Sequence, residues 1–355
     1  MIIAESGVGD ASAMEEAMRS VGTVSDEAHI NDIRSAPVGS GALADTFRLA
    51  LTWKEADSGP SSVIVKQPAR DSTASTTAAS LGAYEREIRF YTELAPRTAV
   101  RIPRLLGVAG RGAEGLANTL VLEDLSENHR PGDQLGETSH RDVRRARTQL
   151  ALLQAPFWSD PATRELDWLH RRIGVPIPGI VGRMNESWDF ARRDFAAGFP
   201  LQQRLCIDRF VSDAEIWAAN PFGPCSLVHH DFRVDNVLFS DSDVVVIDWQ
   251  TIGWGPAMFD VAYLLGTSME PESRRAVERD EVSAHLRELS GLGISWDEES
   301  AWDAYRWSAF AILLMLVPPV TTVKSNPRME AMFARLLSFG AQMALDLDSL
   351  EFLSA

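Results

Sequence analysis

Apolar and polar positions along the chain change period several times. A mixed stretch with Ala, Met and Glu at helical spacing, Ala11 to Arg19, predicts a peripheral helix. From Ala36 the text turns strand-like: Ala36 to Trp53, a turn at Asp57-Ser-Gly-Pro60, then Ser62-Val-Ile-Val-Lys-Gln67 read as three antiparallel strands. Residues 71–80 are almost all Ser, Thr and Ala and read as a small-residue linker. Tyr84, Ile88, Tyr91 and Leu94 then recur at helical spacing across Ala83 to Leu94. Two more strands follow, Pro103 to Ala109 and Asn118 to Leu125.

From Gly132 to Pro224 the pattern is mostly helical, with helices at His140–Gln154, Ser187–Phe199 and Gln202–Trp217 and a proline-broken piece, Gly174 to Gly179, between the first two. Two short apolar runs come next, Leu227 to Phe239 and Val244 to Gln250. A turn beginning at Gly253 feeds a helix, and Ser273–Leu289, Glu298–Leu316 and Arg328–Leu350 supply the remaining helices. Phe157, Trp158, Trp168, Trp188, Phe190, Phe195 and Phe199 could line a pocket, although aromatics at helical spacing usually form core. Phe310 to Val317 is the strongest apolar run, and Pro318 and Pro319 end it short of the roughly 18 residues that span a bilayer.

Composition narrows the function classes. With 355 residues, the chain is long for one core and predicts two lobes. A formal net charge of -16 opposes broad binding to nucleic acid or anionic membranes, which need a basic surface. Cys206 and Cys225 are the only cysteines and form neither a metal-like cluster nor a disulfide framework, which suits a reducing cytoplasm. The start of the chain lacks the basic segment and apolar run of a signal peptide.

The candidate chemistry is concentrated in Leu227-Val-His-His-Asp-Phe-Arg-Val-Asp-Asn-Val-Leu-Phe239 and Val244-Val-Val-Ile-Asp-Trp-Gln250. These contain His229-x-Asp231-x4-Asn236 and Asp248, at the ends of runs that read as buried strands around a cleft. Phosphoryl transfer needs an acceptor for the substrate hydroxyl proton and hard oxygen ligands for Mg2+. Asp231, Asn236 and Asp248 can supply that set. A chance match to the His-x-Asp-x4-Asn spacing in a chain of this composition is on the order of 1%. Lys66 ends the apolar run Val63-Ile-Val65, where it needs an anionic partner or a route to water. The turn Gly39-Ser40-Gly41 can bring backbone N–H groups close to phosphate oxygens, although an ordinary hairpin turn has the same sequence.

These residues resemble the catalytic and metal loops of the aminoglycoside phosphotransferase, choline kinase and ecdysteroid kinase-like families, relatives of protein kinases. In protein kinases the loops read His-Arg-Asp and Asp-Phe-Gly; here they read His-His-Asp and Asp-Trp-Gln. His230 and the missing glycine after Asp248 depart from the protein-kinase pattern and favour the small-molecule branch. The resemblance implies an α+β, protein-kinase-like two-lobe fold: residues 1–125 as a lobe with a five-stranded antiparallel sheet and one helix, residues 126–355 as a large, mostly helical lobe. It implies an ATP- and Mg2+-dependent transfer to a hydroxyl of a small molecule. Lys66, oriented by Glu87, would hold the phosphates, and the backbone of Glu123, Asp124 and Leu125 would face the adenine edge. Asn236 and Asp248 would coordinate Mg2+, Asp231 would take the hydroxyl proton, His229 would brace the loop or itself be the base, and Asp260 would anchor the loop. The alternatives are a nucleotide-binding protein of kinase fold without activity, and a metal-dependent phosphohydrolase. An aminoglycoside, a choline-like amino alcohol, a steroid-like alcohol, a sugar and a hydroxyacyl metabolite all fit as acceptor.

Overall fold

Residues 9–38, 44–110, 118–136, 138–170, 173–174, 180–321 and 326–353 are described by a computed structural model of the chain. It divides into two units, the first made of Met1–Arg97, Arg101–Arg130 and Ile247–Gln250, the second of the rest.

The first unit is built on a five-stranded antiparallel sheet. Its strands are β1 (Ile30–Pro37), β2 (Ala44–Trp53), β3 (Ser62–Pro68), β4 (Leu105–Ala109) and β5 (Thr119–Glu123), in the spatial order β1-β2-β3-β5-β4. Alternation along β3 buries Val63, Val65 and Gln67, so Lys66, one residue out of phase, lies on the opposite face. Its register partners are Thr46 on β2 and Leu120 on β5.

Among the described residues three α-helices accompany this sheet: α1 (Ala11–Arg19), α2 (Ser72–Ser80) and α3 (Ala83–Arg89). The first unit thus has, among the described residues, three α-helices where the resemblance implies one; α2 is the one that the sequence pattern also missed. α1 is not peripheral, because Met14 and Met18 are fully buried and join Leu49, Val63, Val65, Leu106 and Val121 in one core. A Cβ on Gly107 would stand 2.8 Å from the Ala17 carbonyl oxygen, so a glycine on β4 lets the helix backbone come this close. α2 occupies the stretch expected to be a linker; its Ser, Thr and Ala residues carry no apolar stripe, and Ala78 is buried.

β6 (Arg130–Pro131) leads out of the first unit. The second is mostly helical: α4 (His140–Gln154), α5 (Pro161–Arg164), α6 (Ile180–Asp194), α7 (Leu201–Ala219), then the short strands β7 (Cys225–Val228), β8 (Val237–Phe239), β9 (Val244–Val246) and β10 (Gly253–Pro256). The helices α8 (Met258–Ser268), α9 (Pro271–Gly291), α10 (Glu298–Trp307), α11 (Ala311–Leu316) and α12 (Pro327–Asp346) complete it. β7 pairs with β10, and β8 with β9, both antiparallel. Every residue of α8 is buried.

Stacked aromatics fill this core, Trp217 on Trp307 at 4.1 Å and Phe210 on Phe310 at 4.7 Å between ring centroids. Phe157 and Trp188 from the candidate aromatic set are also buried core. α4 and α9 are clasped by Arg147, whose Nε donates to Glu281 Oε2 at 2.7 Å and whose Nη atoms donate to Glu288 at 2.6 and 2.9 Å. The continuous helical run Glu298–Thr321 is longer than the apolar run read from sequence, because α10 extends it. Its length and mean hydropathy of 1.3 would suffice to cross a membrane, but 72% of its apolar window is buried in the protein.

Candidate active site

Two groups of polar side chains stand out, one in each unit. In the first, β3 presents Lys66 and α3 presents Glu87. The Lys66 ammonium lies 2.8 Å from Glu87 Oε2 and 2.6 Å from Asp248 Oδ1. Lys66 and Glu87 have side chains only 14% and 3% exposed, whereas Asp248 is 39% exposed. Burial alone would favour the neutral amine, but the charges of Asp248 and Glu87 outweigh it and hold the Lys66 ammonium above an ordinary lysine. Burial, helped by the charge of Asp248, pushes the Glu87 carboxyl up against the pull of Lys66. Burial and these two carboxylates also hold the Tyr91 phenol well above its usual range.

Asp248 sits two residues beyond β9 with φ of 65°, a left-handed backbone uncommon for a residue with a side chain. The next residues tie it down. The Trp249 amide donates to Glu87 Oε1 at 3.1 Å, its ring stacks on Phe90 at 3.9 Å between centroids, and Arg86 Nη1 donates to the Gln250 carbonyl at 2.8 Å. Glu87 thus receives Lys66 and the Trp249 amide together, and fixes where Asp248 stands.

Glu123 to Leu125 close β5 in the same unit. The Glu123 amide donates to the Arg104 carbonyl at 3.0 Å, and the Leu125 carbonyl accepts from the amides of Asn128 and His129. Asp124 Oδ1 accepts from the Ser126 amide and hydroxyl at 3.0 and 2.6 Å, and its Oδ2 accepts from Arg48 Nε at 2.6 Å. Burial raises the Asp124 carboxyl, but bonds from Ser126, Ser62 and Arg48 overcome it and bring the group down to about 2. Gly39, Ser40 and Gly41 lie outside the described residues.

The second group belongs to the second unit. β7 ends at Val228, and His229 and His230 turn the chain so that both of their amides point at one carboxylate. Asp260 Oδ2 accepts from the His229 amide at 2.6 Å and Oδ1 from the His230 amide at 3.0 Å. Complete burial pushes the Asp260 carboxyl up to about 7, against those two amide bonds and with help from the charge of Asp231. Thr251 Oγ1 donates to the His229 carbonyl at 2.7 Å. His230 has φ of 65° and a buried ring, with Nδ1 3.1 Å from the Thr251 carbonyl. A Cβ on Gly253 would stand 2.6 Å from that ring and 2.1 Å from the His170 carbonyl, so glycine makes the room His230 occupies.

Asp231 is the focus of this group. Oδ1 accepts from Arg233 Nε and Tyr263 Oη, each at 3.1 Å, and Oδ2 accepts from Asn236 Nδ2 at 2.9 Å. Asn236 Nδ2 also donates to the Asp231 carbonyl at 2.8 Å, which commits the amide nitrogen to the loop and leaves the amide oxygen as the donor atom for a cation. Arg233 Nη1 bonds Asp235 Oδ2 at 3.1 Å. Burial would weaken the Arg233 charge, but Asp231 above all, with help from Asp235, holds the guanidinium above its ordinary value. His229 is fully buried, its Nδ1 accepts the Asp231 amide at 3.3 Å, and its ring lies edge-on to Phe232.

The candidate residues thus fall into the sets Lys66–Glu87–Asp248 and His229–Asp231–Asn236, while Glu123 to Asp124 are engaged by arginines of their own unit. Sequence reading missed Tyr263, the Thr251 hydroxyl and the Trp249 amide. Asp260 and Tyr263 are three apart on one helix and face the same loop, but in a helix whose residues are all buried the tyrosine reads from sequence as core. Among the described residues no three His, Cys, Asp or Glu side chains form a metal cluster. One carboxylate and one amide oxygen suit Mg2+, which is held by few protein ligands together with substrate phosphates.

The family model of the phosphotransferase enzyme family (APH) matches residues 35–302. No curated protein sequence matches the chain. Among solved structures, the chain resembles a protein classed as an aminoglycoside phosphotransferase from Ralstonia eutropha JMP134, with 18% identity, TM-score 0.55, and coverage of 95% of this chain and 98% of that one. It also resembles a choline kinase from Cryptosporidium parvum Iowa II, at 10% identity, TM-score 0.54 and coverage of 90% and 91%. A third is an aminoglycoside 2'-phosphotransferase variant in complex with GDP, at 13% identity, TM-score 0.51 and coverage of 90% and 93%. These likenesses establish the protein-kinase-like fold, with its small antiparallel-sheet lobe and mostly helical remainder.

Proposed function

The chain belongs to the phosphotransferase enzyme family, and from that premise we propose that it is a small-molecule kinase that moves the terminal phosphate of ATP to a hydroxyl of a small molecule. The observation that carries this reading is Lys66 bracketed by Glu87 and Asp248, at 2.8 and 2.6 Å. A buried ammonium held this way is a fixed positive point for nucleotide phosphates, and Glu87 keeps its position when Asp248 turns to another partner.

Asn236 and Asp248 would hold Mg2+ through oxygen atoms, and the ion supplies charge neutralisation on the phosphate oxygens. Asp231 orients the acceptor hydroxyl. As the bond from acceptor oxygen to phosphorus forms and the bond from phosphorus to the departing nucleoside diphosphate breaks, the hydroxyl proton passes to the Asp231 carboxylate and later to water. His229 serves as a brace: its Nδ1 lone pair is taken by the Asp231 amide. The amide of Leu125 is proposed to face the adenine edge, since the Glu123 amide is engaged by Arg104.

The relatives point to acceptor classes to try first, amino alcohols such as choline and the aminoglycosides. The test is transfer of labelled phosphate from ATP, and in parallel from GTP, to a panel of hydroxyl compounds. A labelled product whose formation requires Mg2+ supports the reading. Release of inorganic phosphate alone, unaffected by Lys66→Ala, would replace it with a metal-dependent phosphohydrolase.

A further inference from the structure

The Asp231 carboxylate is loaded unequally. Each carboxylate oxygen has about two acceptor positions. Oδ1 takes two donors, the Arg233 Nε–H and the Tyr263 hydroxyl; among the described residues Oδ2 takes one, from Asn236. We propose that Tyr263 is a positioning residue for phosphoryl transfer, saturating Oδ1 so that Oδ2 is the oxygen that receives the acceptor's proton. This inference rests on Asp231 acting as the base.

The arrangement is built rather than incidental. Tyr263 is 1% exposed and its ring lies nearly parallel to that of Phe259, 6.3 Å away, so packing fixes the ring. It shares α8 with Asp260, the carboxylate that holds the His229 and His230 amides. One rigid helix therefore sets both the backbone of the loop, through Asp260, and the rotation of its reactive side chain, through Tyr263. Arg233 donates to the same oxygen but comes from the loop itself, two residues away, and its Nη1 is held by Asp235 and by Met332 Sδ. Tyr263 alone ties that oxygen to α8. Without it the carboxylate can turn about its own bond and offer the acceptor a partly blocked oxygen.

Tyr263→Phe removes one hydroxyl and keeps the ring. The readout is ADP release from Mg-ATP, with water or a panel hydroxyl compound as acceptor, in wild type, Tyr263→Phe, Asp231→Asn and the double variant. If Tyr263 acts through Asp231, Tyr263→Phe lowers kcat roughly tenfold, the loss of one hydrogen bond to a charged group. The KM for ATP stays within about twofold, and the same change has no further effect on an Asp231→Asn background, since residues acting as one unit are non-additive. A full additive loss on that background, an unchanged kcat, or a KM that rises with the fall in kcat would each overturn it. A thermal midpoint within about 5 °C of wild type shows that the fold is kept; if Phe fails this, Tyr263→Met repeats the cycle with another apolar side chain. Calorimetric binding of Mg-ATP separates the two levels: a wild type that neither binds nor turns over nucleotide brings down the kinase reading and this one with it, whereas an active wild type with an additive cycle brings down only this one.

Discussion

Lys66 and Asp248, 182 positions apart in sequence, form an ion pair of 2.6 Å, and the Glu87 carboxylate completes it from the other side. Two acids around one ammonium leave a net negative charge where the nucleotide phosphates are proposed to bind, and Asp248 is the more exposed of the two. It is therefore the acid able to turn towards a cation while Glu87 stays with Lys66.

Lys66→Ala should separate chemistry from stability. Glu87 would be left buried without its cation, and breaking such a pair costs about 3–5 kcal/mol. Phosphoryl transfer should fall at least 100-fold in any fraction that remains folded. Urea unfolding and ADP release on the same preparation check both. Full activity would remove Lys66 from the site.

Asp260 gives a pH dependence whose sign is fixed. Its folded carboxyl is raised to about 7, while an unfolded aspartate titrates near ~3.9. Between those values the folded chain holds a proton that the unfolded chain has released, so this group's contribution to stability falls as pH rises through that window. Asp260→Asn lacks that titration. The stability of the variant relative to wild type should therefore increase from pH 5 to pH 8, measured by chemical denaturation at each pH, even though one acceptor for the loop amides is weakened. A difference independent of pH would contradict the assignment.

Gly107→Ala probes the contact of α1 with the sheet. The new methyl group would meet the Ala17 carbonyl at 2.8 Å, and neither partner is the end of a flexible side chain. A loss of about 1–3 kcal/mol is expected, typical of overpacking, read as a lower urea midpoint. A neutral effect would show that α1 shifts freely over β4.

Much of this site was legible because its residues bring their own context. His229-x-Asp231-x4-Asn236 and Asp248 stand at the ends of Val, Leu and Ile runs that read as short buried strands, and Lys66 ends the apolar run of β3, where it needs an anionic partner or a route to water. Tyr263 was not legible: in a helix whose residues are all buried, a tyrosine reads as core, and only the fold places its hydroxyl on Asp231. α1 was misjudged because Met14 and Met18 lie among charged neighbours, and their burial depends on a sheet formed later in the sequence. α2 was missed because Ser, Thr and Ala carry no apolar period. The β7–β10 pairing was also hidden, since Gly253-Trp-Gly-Pro256 has no strand pattern and is held by its partner and by the space His230 needs.

The most direct test of the central claim is calorimetric titration of ATP, with and without Mg2+, into wild type and Asp248→Ala. The expected result is Mg2+-dependent binding to the wild type, weakened at least tenfold in the variant, with Asp231→Asn binding as wild type does. Equal affinity in wild type and Asp248→Ala, or no nucleotide binding by either, would contradict it.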